Sequence, residues 1–402
     1  MDRYEELLYN IALTTLCGRQ PRRMEQYIRL FDSAEAVFRA RAADPRFIRL
    51  RFGKSEMPRK KALAIAERII ETCEENGIGI ILLDDVSYPQ RLKNIPDPPR
   101  VLYVRGSMPN MNDLLGLSIV GMRRATRDAI DLTHSIAYDL ADKGAVIISG
   151  MAKGIDGAAH RGALDAGGTT VAVLAGGVDC IYPKEHTELY HNILEHGAVI
   201  SEQPPGVIGK PEFYQARNRI IVGLAFGILF AEGEERSGTS ISLRHAEDFG
   251  RDVFAIPGSP VAPQSELPNK ILRDGAIVTR SAEDILEEYW DYAPLLENGK
   301  ILRTTPMTPR PIVAPFAAKT QRTAPTPNKP PEPEKPKINL ELFSETERMI
   351  LEYLCQSNRT VHIDDIIANC GIDAAKVGGL LTLLEMKGII AQHAGSRYSL
   401  KQ

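Results

Sequence analysis

Cysteine is scarce in this chain: five in 402 residues (Cys17, Cys73, Cys180, Cys355 and Cys370), with no CxxC pair among them. Their wide spacing excludes a disulfide scaffold and a thiolate zinc knuckle alike. Long apolar runs are missing too, and nothing at the start reads as a secretory signal, so a reduced, cytoplasmic protein without a membrane span is expected. Charge of one sign is equally lacking, because 49 Lys and Arg face 52 Asp and Glu. That balance excludes bulk attraction to a polyanion, and any nucleic-acid site must be local. No GxxxxGK[ST] loop and no GxGxxG turn occurs, which argues against ATP hydrolysis and nicotinamide redox chemistry.

What is present is one construction repeated four times between 117 and 258: a short apolar run, a loop rich in glycine or hydroxyls, then a helical pattern. The loops are Gly121-Met122-Arg123-Arg124-Ala125-Thr126, Ser149-Gly150-Met151-Ala152-Lys153-Gly154, Ala175-Gly176-Gly177-Val178-Asp179 and Gly233-Glu234-Glu235-Arg236-Ser237-Gly238-Thr239. The runs are apolar on both faces, as parallel strands covered by helices on either side must be. Strands at 117–120, 145–149, 170–174, 198–200, 227–231 and 253–256 alternate with helices at 127–143, 155–166, 186–196, 214–224 and 239–249. A final helix, strand and helix fall at 269–274, 276–278 and 282–289. This alternation predicts an α/β fold with a Rossmann-like, doubly wound, mostly parallel sheet. Its strand-to-helix loops lie along one edge, where ligands bind and where helix starts attract anions.

The flanks read differently. Residues 1–76 form a helical module, and 77–298 the extended α/β domain, which opens with strands at 80–83 and 101–104 around a proline-rich connector. Residues 299–338 form a linker: ten of the 27 prolines lie between Thr305 and Lys337, with almost no large apolar side chain to bury. Residues 339–402 have a winged-helix outline, with helices at 344–356, 363–369 and 374–387 and a hairpin from 389–391 to 398–400. This last module carries 6 basic and 8 acidic residues, a net charge of −2, and its recognition helix offers only Lys376 and Lys387 against Glu385. It reads as a protein-contact or weak nucleic-acid module. The glycine turns Cys17-Gly18-Arg19 and Phe52-Gly53 fit DNA-binding helix–hairpin turns, but read better as helix caps.

Cations gather in the loops. Arg123, Arg124, Lys153, Lys184, Arg217 and Arg219 around Asn218, and Arg236 all belong in or beside the expected ligand edge. One mononucleotide phosphate needs one or two of these; the set suits the successive phosphates of a nucleic-acid strand. Asp156 and His160, one helical turn apart, are expected to share a helix-internal hydrogen bond rather than to form an acid–base or metal pair. His186, His191 and His196, five residues apart, do not hold one helical face, so no metal site is expected there.

Several stretches together resemble the DNA-processing protein A (DprA, or Smf) family from about 88 to 286. They are Ser149-Gly150-Met151-Ala152-Lys153-Gly154-Ile155-Asp156, Ala159-His160, Gly162-Ala163-Leu164, Ile181-Tyr182-Pro183, Ser201-Glu202, Ala216-Arg217-Asn218-Arg219-Ile220-Ile221, Ser237-Gly238-Thr239 and Ala255-Ile256-Pro257-Gly258-Ser259. The resemblance implies a sterile-alpha-motif-like module before the sheet and a winged helix after it. It also implies a homodimeric single-stranded-DNA-binding protein without catalytic residues, metal or cofactor. Such a recombination mediator protects incoming strands and loads the RecA recombinase onto them during competence and natural transformation. Its phosphate loop falls on Gly121, Met122 and Arg123, with Met122 where the family usually has serine, so that one hydroxyl contact is missing. The nucleic-acid ligands carried over with it are Arg124, Ser149, Gly150, Lys153, Gly154, Arg217, Asn218, Arg219, Ser237 and Gly238. Dimer contacts are expected around Ile271, Leu272, Ile277 and Val278. Leu267-Pro268-Asn269 departs from the pattern, in which a glycine usually precedes the asparagine. The alternative is a nucleotide phosphoribohydrolase resembling the lysine-decarboxylase-like family; its PGGxGT-type loop would fall near 235–239, where no Pro-Gly-Gly precedes.

Overall fold

The computed structural model describes residues 2–49, 57–235, 237–289, 296–297, 300–301, 344–357, 361–370, 374–386, 389–393 and 397–400. They belong to two compact units, Met1–Ala314 and Pro315–Gln402. Most of the expected linker, the Phe52-Gly53 turn, Lys387 and Arg236 lie outside the described residues. No helix among those described is long and apolar enough to cross a membrane.

The first unit begins with α1 (Arg3–Leu16), α2 (Pro21–Phe31), α3 (Ala34–Arg39), α4 (Pro45–Arg49) and α5 (Arg59–Glu75). Asp2 caps α1 by accepting the Glu5 N–H at 2.7 Å, and Glu5 and Glu6 complement the dipole in its first turn. These helices are not a free-standing body. Leu7, Ile11, Ile70 and Cys73 share one core with Ile80, Leu82, Val101, Tyr103 and Val199 of the sheet. The boundary expected at 76 therefore crosses packed side chains, and the helical module is a layer of the α/β unit.

Among the described residues one sheet holds β1 (Gly79–Leu82), β2 (Val101–Gly106), β3 (Gly116–Val120), β4 (Val146–Ser149), β5 (Thr170–Val173), β6 (Ala198–Ser201), β7 (Gly227–Phe230), β8 (Asp252–Ala255) and β9 (Ile277–Val278). Their order is β1-β2-β6-β5-β4-β3-β7-β8-β9. The short α6 (Gln90–Lys93) joins β1 to β2. Strand β2 runs antiparallel to both β1 and β6, and every pairing from β6 to β9 is parallel. Strands β3 to β7 are buried at every position, which is what their two-sided apolar pattern requires. The connecting helices are α7 (Arg127–Asp142), α8 (Ile155–Asp165), α9 (Thr187–His196), α10 (Pro211–Leu224), α11 (Gly238–Asp248), α12 (Glu266–Arg273) and α13 (Ala282–Leu286), and a small hairpin, β10 (Leu296–Glu297) with β11 (Lys300–Ile301), follows. From β3 the chain winds one way to β4, β5 and β6, then crosses back to β7, β8 and β9. The reversal lies between β3 and β7, and in such sheets the crevice for a ligand opens there.

In the second unit α14 (Glu345–Ser357), α15 (Ile363–Cys370) and α16 (Ala374–Met386) surround a core of Ile350, Leu354, Ile366, Leu381 and Ile390. Its sheet has the order β12 (Val361–His362), β14 (Arg397–Leu400), β13 (Ile390–His393). Strand β12 went unread in the sequence because two residues show no period. The result is a winged-helix outline.

Candidate nucleic-acid interface

A cleft of about 390 Å³ opens at the winding reversal, lined by Gly121, Met122, Arg123 and Arg124 after β3, by Asp156, by Tyr214, Arg217 and Asn218 on α10, and by Ser237 and Gly238 at the start of α11. Two interlocked loops build its floor. Gly154 has φ +74°, and a Cβ there would collide with the carbonyl of Met122. Ile155 donates its N–H to that same carbonyl at 3.3 Å, so the β4 loop is fixed against the β3 loop. The far wall is tied in by Glu232, a buried carboxylate that accepts the Thr126 N–H at 2.8 Å and the Thr126 hydroxyl at 2.6 Å. Thr126 in turn caps α7 by accepting the Ala129 N–H.

The candidate ligands divide sharply. Arg123, Arg124 and Lys153 are exposed. Lys153 pairs with Glu185 at 2.6 Å, but both side chains are more than half exposed, so the pair is weak. Arg217 is 7% exposed; its guanidinium donates to the carbonyl of Gly150 at 2.9 Å and to that of Val173, and no Cβ could be placed on Gly150 without striking it. It stands against the buried Asp156, whose carboxylate accepts the N–H groups of Gly150 at 3.1 Å and Ala152 at 3.4 Å. Burial pushes the Asp156 carboxyl up, against the pull of Arg217 and those two amides.

Four expectations are corrected. Arg217, read as a phosphate ligand, is buried and engages its guanidinium with the carbonyls of Gly150 and Val173. Arg219, read as a phosphate ligand, is buried and forked onto Glu202 at 2.8 and 2.9 Å, with further bonds to the carbonyls of Asp97 and Ala216 at 3.0 Å. Its donors are engaged inside the protein, where they pair the partly buried carboxylate of Glu202. Ser149 is fully buried and donates to the carbonyl of Ile119 at 2.6 Å, so it braces strands instead of meeting a ligand. Asp156 and His160 do not bond each other: Asp156 holds the loop, and the His160 Nδ1 lies 2.7 Å from the Thr170 hydroxyl. That hydroxyl donates to Ile147, so the imidazole must donate to it and carries its proton on Nδ1. Burial holds His160 down to about 3, and its Nε2 has no partner among the described residues.

Aromatic residues complete the site, and sequence reasoning gave them no role. Tyr214 has the Arg123 guanidinium over its ring at 5.4 Å and Tyr182 edge-on at 6.1 Å. Tyr182 is 59% exposed. With Lys153, Gly150 and Pro183 these residues line a second hollow of about 60 Å³ beside the cleft. The available signal was spacing, since Tyr214 precedes Arg217 by three positions and so shares its face of α10. Asn218 donates to the carbonyl of Gly238 at 3.2 Å and joins α10 to the start of α11.

The expected dimer residues also separate. Ile271 belongs to the core, 4% exposed, and Leu272 and Ile277 are partly buried against it. Val278, on the last strand of the sheet, is 49% exposed.

Comparison with known proteins follows the same outline. The family model described as DNA recombination-mediator protein A matches residues 79–290, and that of the DprA winged helix domain matches 324–396. The DNA processing protein DprA of Bacillus subtilis is 38% identical over 221 residues, which cover 55% of this chain and 74% of that protein. Protein Smf of Synechocystis is 32% identical over 345 residues, 82% of either chain. The X-ray structure of DprA from Streptococcus pneumoniae superposes with a TM-score of 0.60 at 28% identity, over 70% of this chain and 97% of that one. With a matched α/β unit, a matched winged helix and relatives aligned across most of their own length, this chain belongs to the DNA recombination-mediator protein A family.

Proposed function

We propose that the cleft binds single-stranded DNA and that the protein is a non-catalytic mediator that passes the strand to the RecA recombinase. The observation that carries this reading is the joining of exposed cations to a pair of aromatic rings, the exposed Tyr182 and the half-buried Tyr214: Arg123 lies against Tyr214, Tyr214 against Tyr182, and Lys153 beside them. Cations alone would suit any phosphate chain; an accessible aromatic ring such as that of Tyr182 suits bases that are unpaired and can stack. Among the described residues, the buried carboxylates beside the cleft are already engaged, which speaks against the enzyme alternative. Asp156 and Glu232, the buried carboxylates flanking the cleft, each hold loop N–H groups, which leaves neither placed to cleave a glycosidic bond.

Fluorescence anisotropy with oligothymidylate and with a duplex of equal length tests the reading. Single strands should bind at least about tenfold tighter than duplex, a difference of about 1.4 kcal/mol. Equal affinity for both, or release of base from AMP by the protein, would count against it. The reading includes protection of incoming strands during transformation and a homodimer formed at the β9 end of the sheet, where Val278 is the open apolar position. Val278→Asp should then yield a monomer by light scattering; an unchanged dimer would place the contact elsewhere.

A further inference from the structure

The loop after β6 presents an isoleucine to solvent from a backbone that is fastened on the residues leading into it. Ile208 is 77% exposed. Just before it, the Val207 carbonyl accepts the Gly177 N–H at 2.8 Å, and the Gly206 N–H donates to both oxygens of Asp179 at 2.9 Å. Ser201 continues the seam, donating to the carbonyl of Gly176 at 2.6 Å and accepting the Gln203 N–H at 2.9 Å. The backbone leading into Ile208 is thus held before any ligand arrives, which favours a preorganised contact.

Single apolar side chains on a surface are ordinary, and Val86 and Val261 are exposed as well. Surroundings set Ile208 apart. Gly209, the next residue, lies beneath Tyr214: a Cβ there would stand 3.1 Å from the tyrosine hydroxyl. Tyr214 therefore meets Arg123 and Tyr182 through its ring and this loop through its hydroxyl end. Beyond Gly209, Lys210 is exposed, with its ammonium 5.8 Å from the Phe213 ring. An apolar side chain, an aromatic pair and a cation thus gather about one loop, the kinds of group that a base and its phosphate call for. Isoleucine is branched at Cβ and stiff at χ1, so on a fixed backbone it offers a defined wedge.

We propose that Ile208 packs against a nucleobase of the bound strand where the strand leaves the Tyr182–Tyr214 pair, and that Lys210 meets the next phosphate. This rests on the single-strand reading of the cleft, and the test separates the two. The full-length protein is titrated with an oligothymidylate of about 20 nucleotides and with an abasic strand of the same length, which keeps the phosphates and lacks the bases. Ile208→Ala should weaken the first about fivefold and leave the second within about twofold, because stacking needs a base. Lys210→Ala should weaken both alike. Asp179→Ala, which frees the loop and removes no cation, should reproduce the pattern of Ile208→Ala. Equal losses on the two strands for Ile208→Ala, or no loss on either, overturn the wedge. Arg123→Ala then decides what else falls. If it weakens both strands while Ile208→Ala changes neither, the cleft remains a single-strand site without this wedge; if it too changes neither, the site itself is wrong.

Discussion

The loops after β3 and β4 and the middle of α10 carry the same kinds of side chain at the same sheet edge, and they use them in opposite ways. Arg123, Arg124 and Lys153 stand in solvent, whereas Arg217 and Arg219 are each 7% exposed. The difference comes from what each backbone is doing. A loop that leaves the carboxyl end of a buried strand can turn its side chains outward. A helix laid on the sheet must turn one stripe inward, and Arg217 stands three and four residues before Ile220 and Ile221, which are 1% exposed. An arginine on that stripe has to be satisfied by the protein, and Gly150, Val173 and Asp156 do so. Basic residues in one motif are therefore not one functional set.

Stability measurements without DNA should break or confirm this division most visibly. Arg217→Ala leaves Asp156 buried without its charge partner and should cost about 3–5 kcal/mol in urea unfolding; Arg219→Ala leaves the partly buried Glu202 unpaired and should cost somewhat less, about 2–4 kcal/mol. Arg123→Ala should cost less than about 0.5 kcal/mol, as surface substitutions do. If Arg217→Ala unfolded at the same urea concentration as the parent protein, the inward reading of α10 would fail.

The inward side carries a pH signature as well. Burial holds His160 down to about 3, far below an ordinary histidine near 6.5. The native state excludes a proton that the unfolded chain accepts. Stability from this group is therefore complete above about pH 6.5 and falls by about 1.4 kcal/mol per unit as the pH drops toward the folded value. Asp156, raised by burial, works in the opposite direction, so the comparison must be made between variants at each pH. From pH 6.5 to 5 the parent protein should lose about 2 kcal/mol more than His160→Gln. Identical slopes would mean that the ring titrates normally.

Binding measurements sharpen the outward side. Arg123→Ala should weaken single-stranded DNA about tenfold and lower the slope of log affinity against log salt by about 0.7, the share of one phosphate on a single strand. Lys153→Ala should do less, about threefold, because Lys153 must leave Glu185 before it can meet a phosphate. Unchanged affinity and slope in both variants would remove the β3 and β4 loops from the interface.

Sequence and structure part company at these same places. The doubly wound sheet was legible because β3 to β7 are apolar on both faces and regularly spaced, and the loop cations were legible because loops expose what they carry. The inward arginines were harder to see, although the period of α10 already placed Arg217 in line with Ile220 and Ile221. Asp156 and His160 satisfied the helical spacing rule, yet spacing only permits a contact. Thr170 on β5 and the amides of the β4 loop, distant or irregular in the chain, provided the better partners. Tyr182 and Tyr214 belong to different segments, and only the fold brings their rings together.

The smallest effect is expected from the winged helix, and it extends the comparison to the second unit. Helix α16 sits where a duplex reader would carry its basic residues, but among its described residues Lys376 is the one cation, Glu385 opposes it, and Leu383 is 50% exposed. A net charge of −2 over 339–402 offers little to a phosphate chain. The cations and rings of the α/β cleft, by contrast, lie entirely within the first unit. Deleting 339–402 should therefore leave affinity for single-stranded DNA within about threefold, about 0.6 kcal/mol, and leave the salt slope unchanged. An exposed leucine on a nearly uncharged helix fits a protein partner better than a groove of DNA. A tenfold or larger loss in the truncated protein, with its oligomeric state intact, would reverse that assignment and make the winged helix a second DNA-binding site.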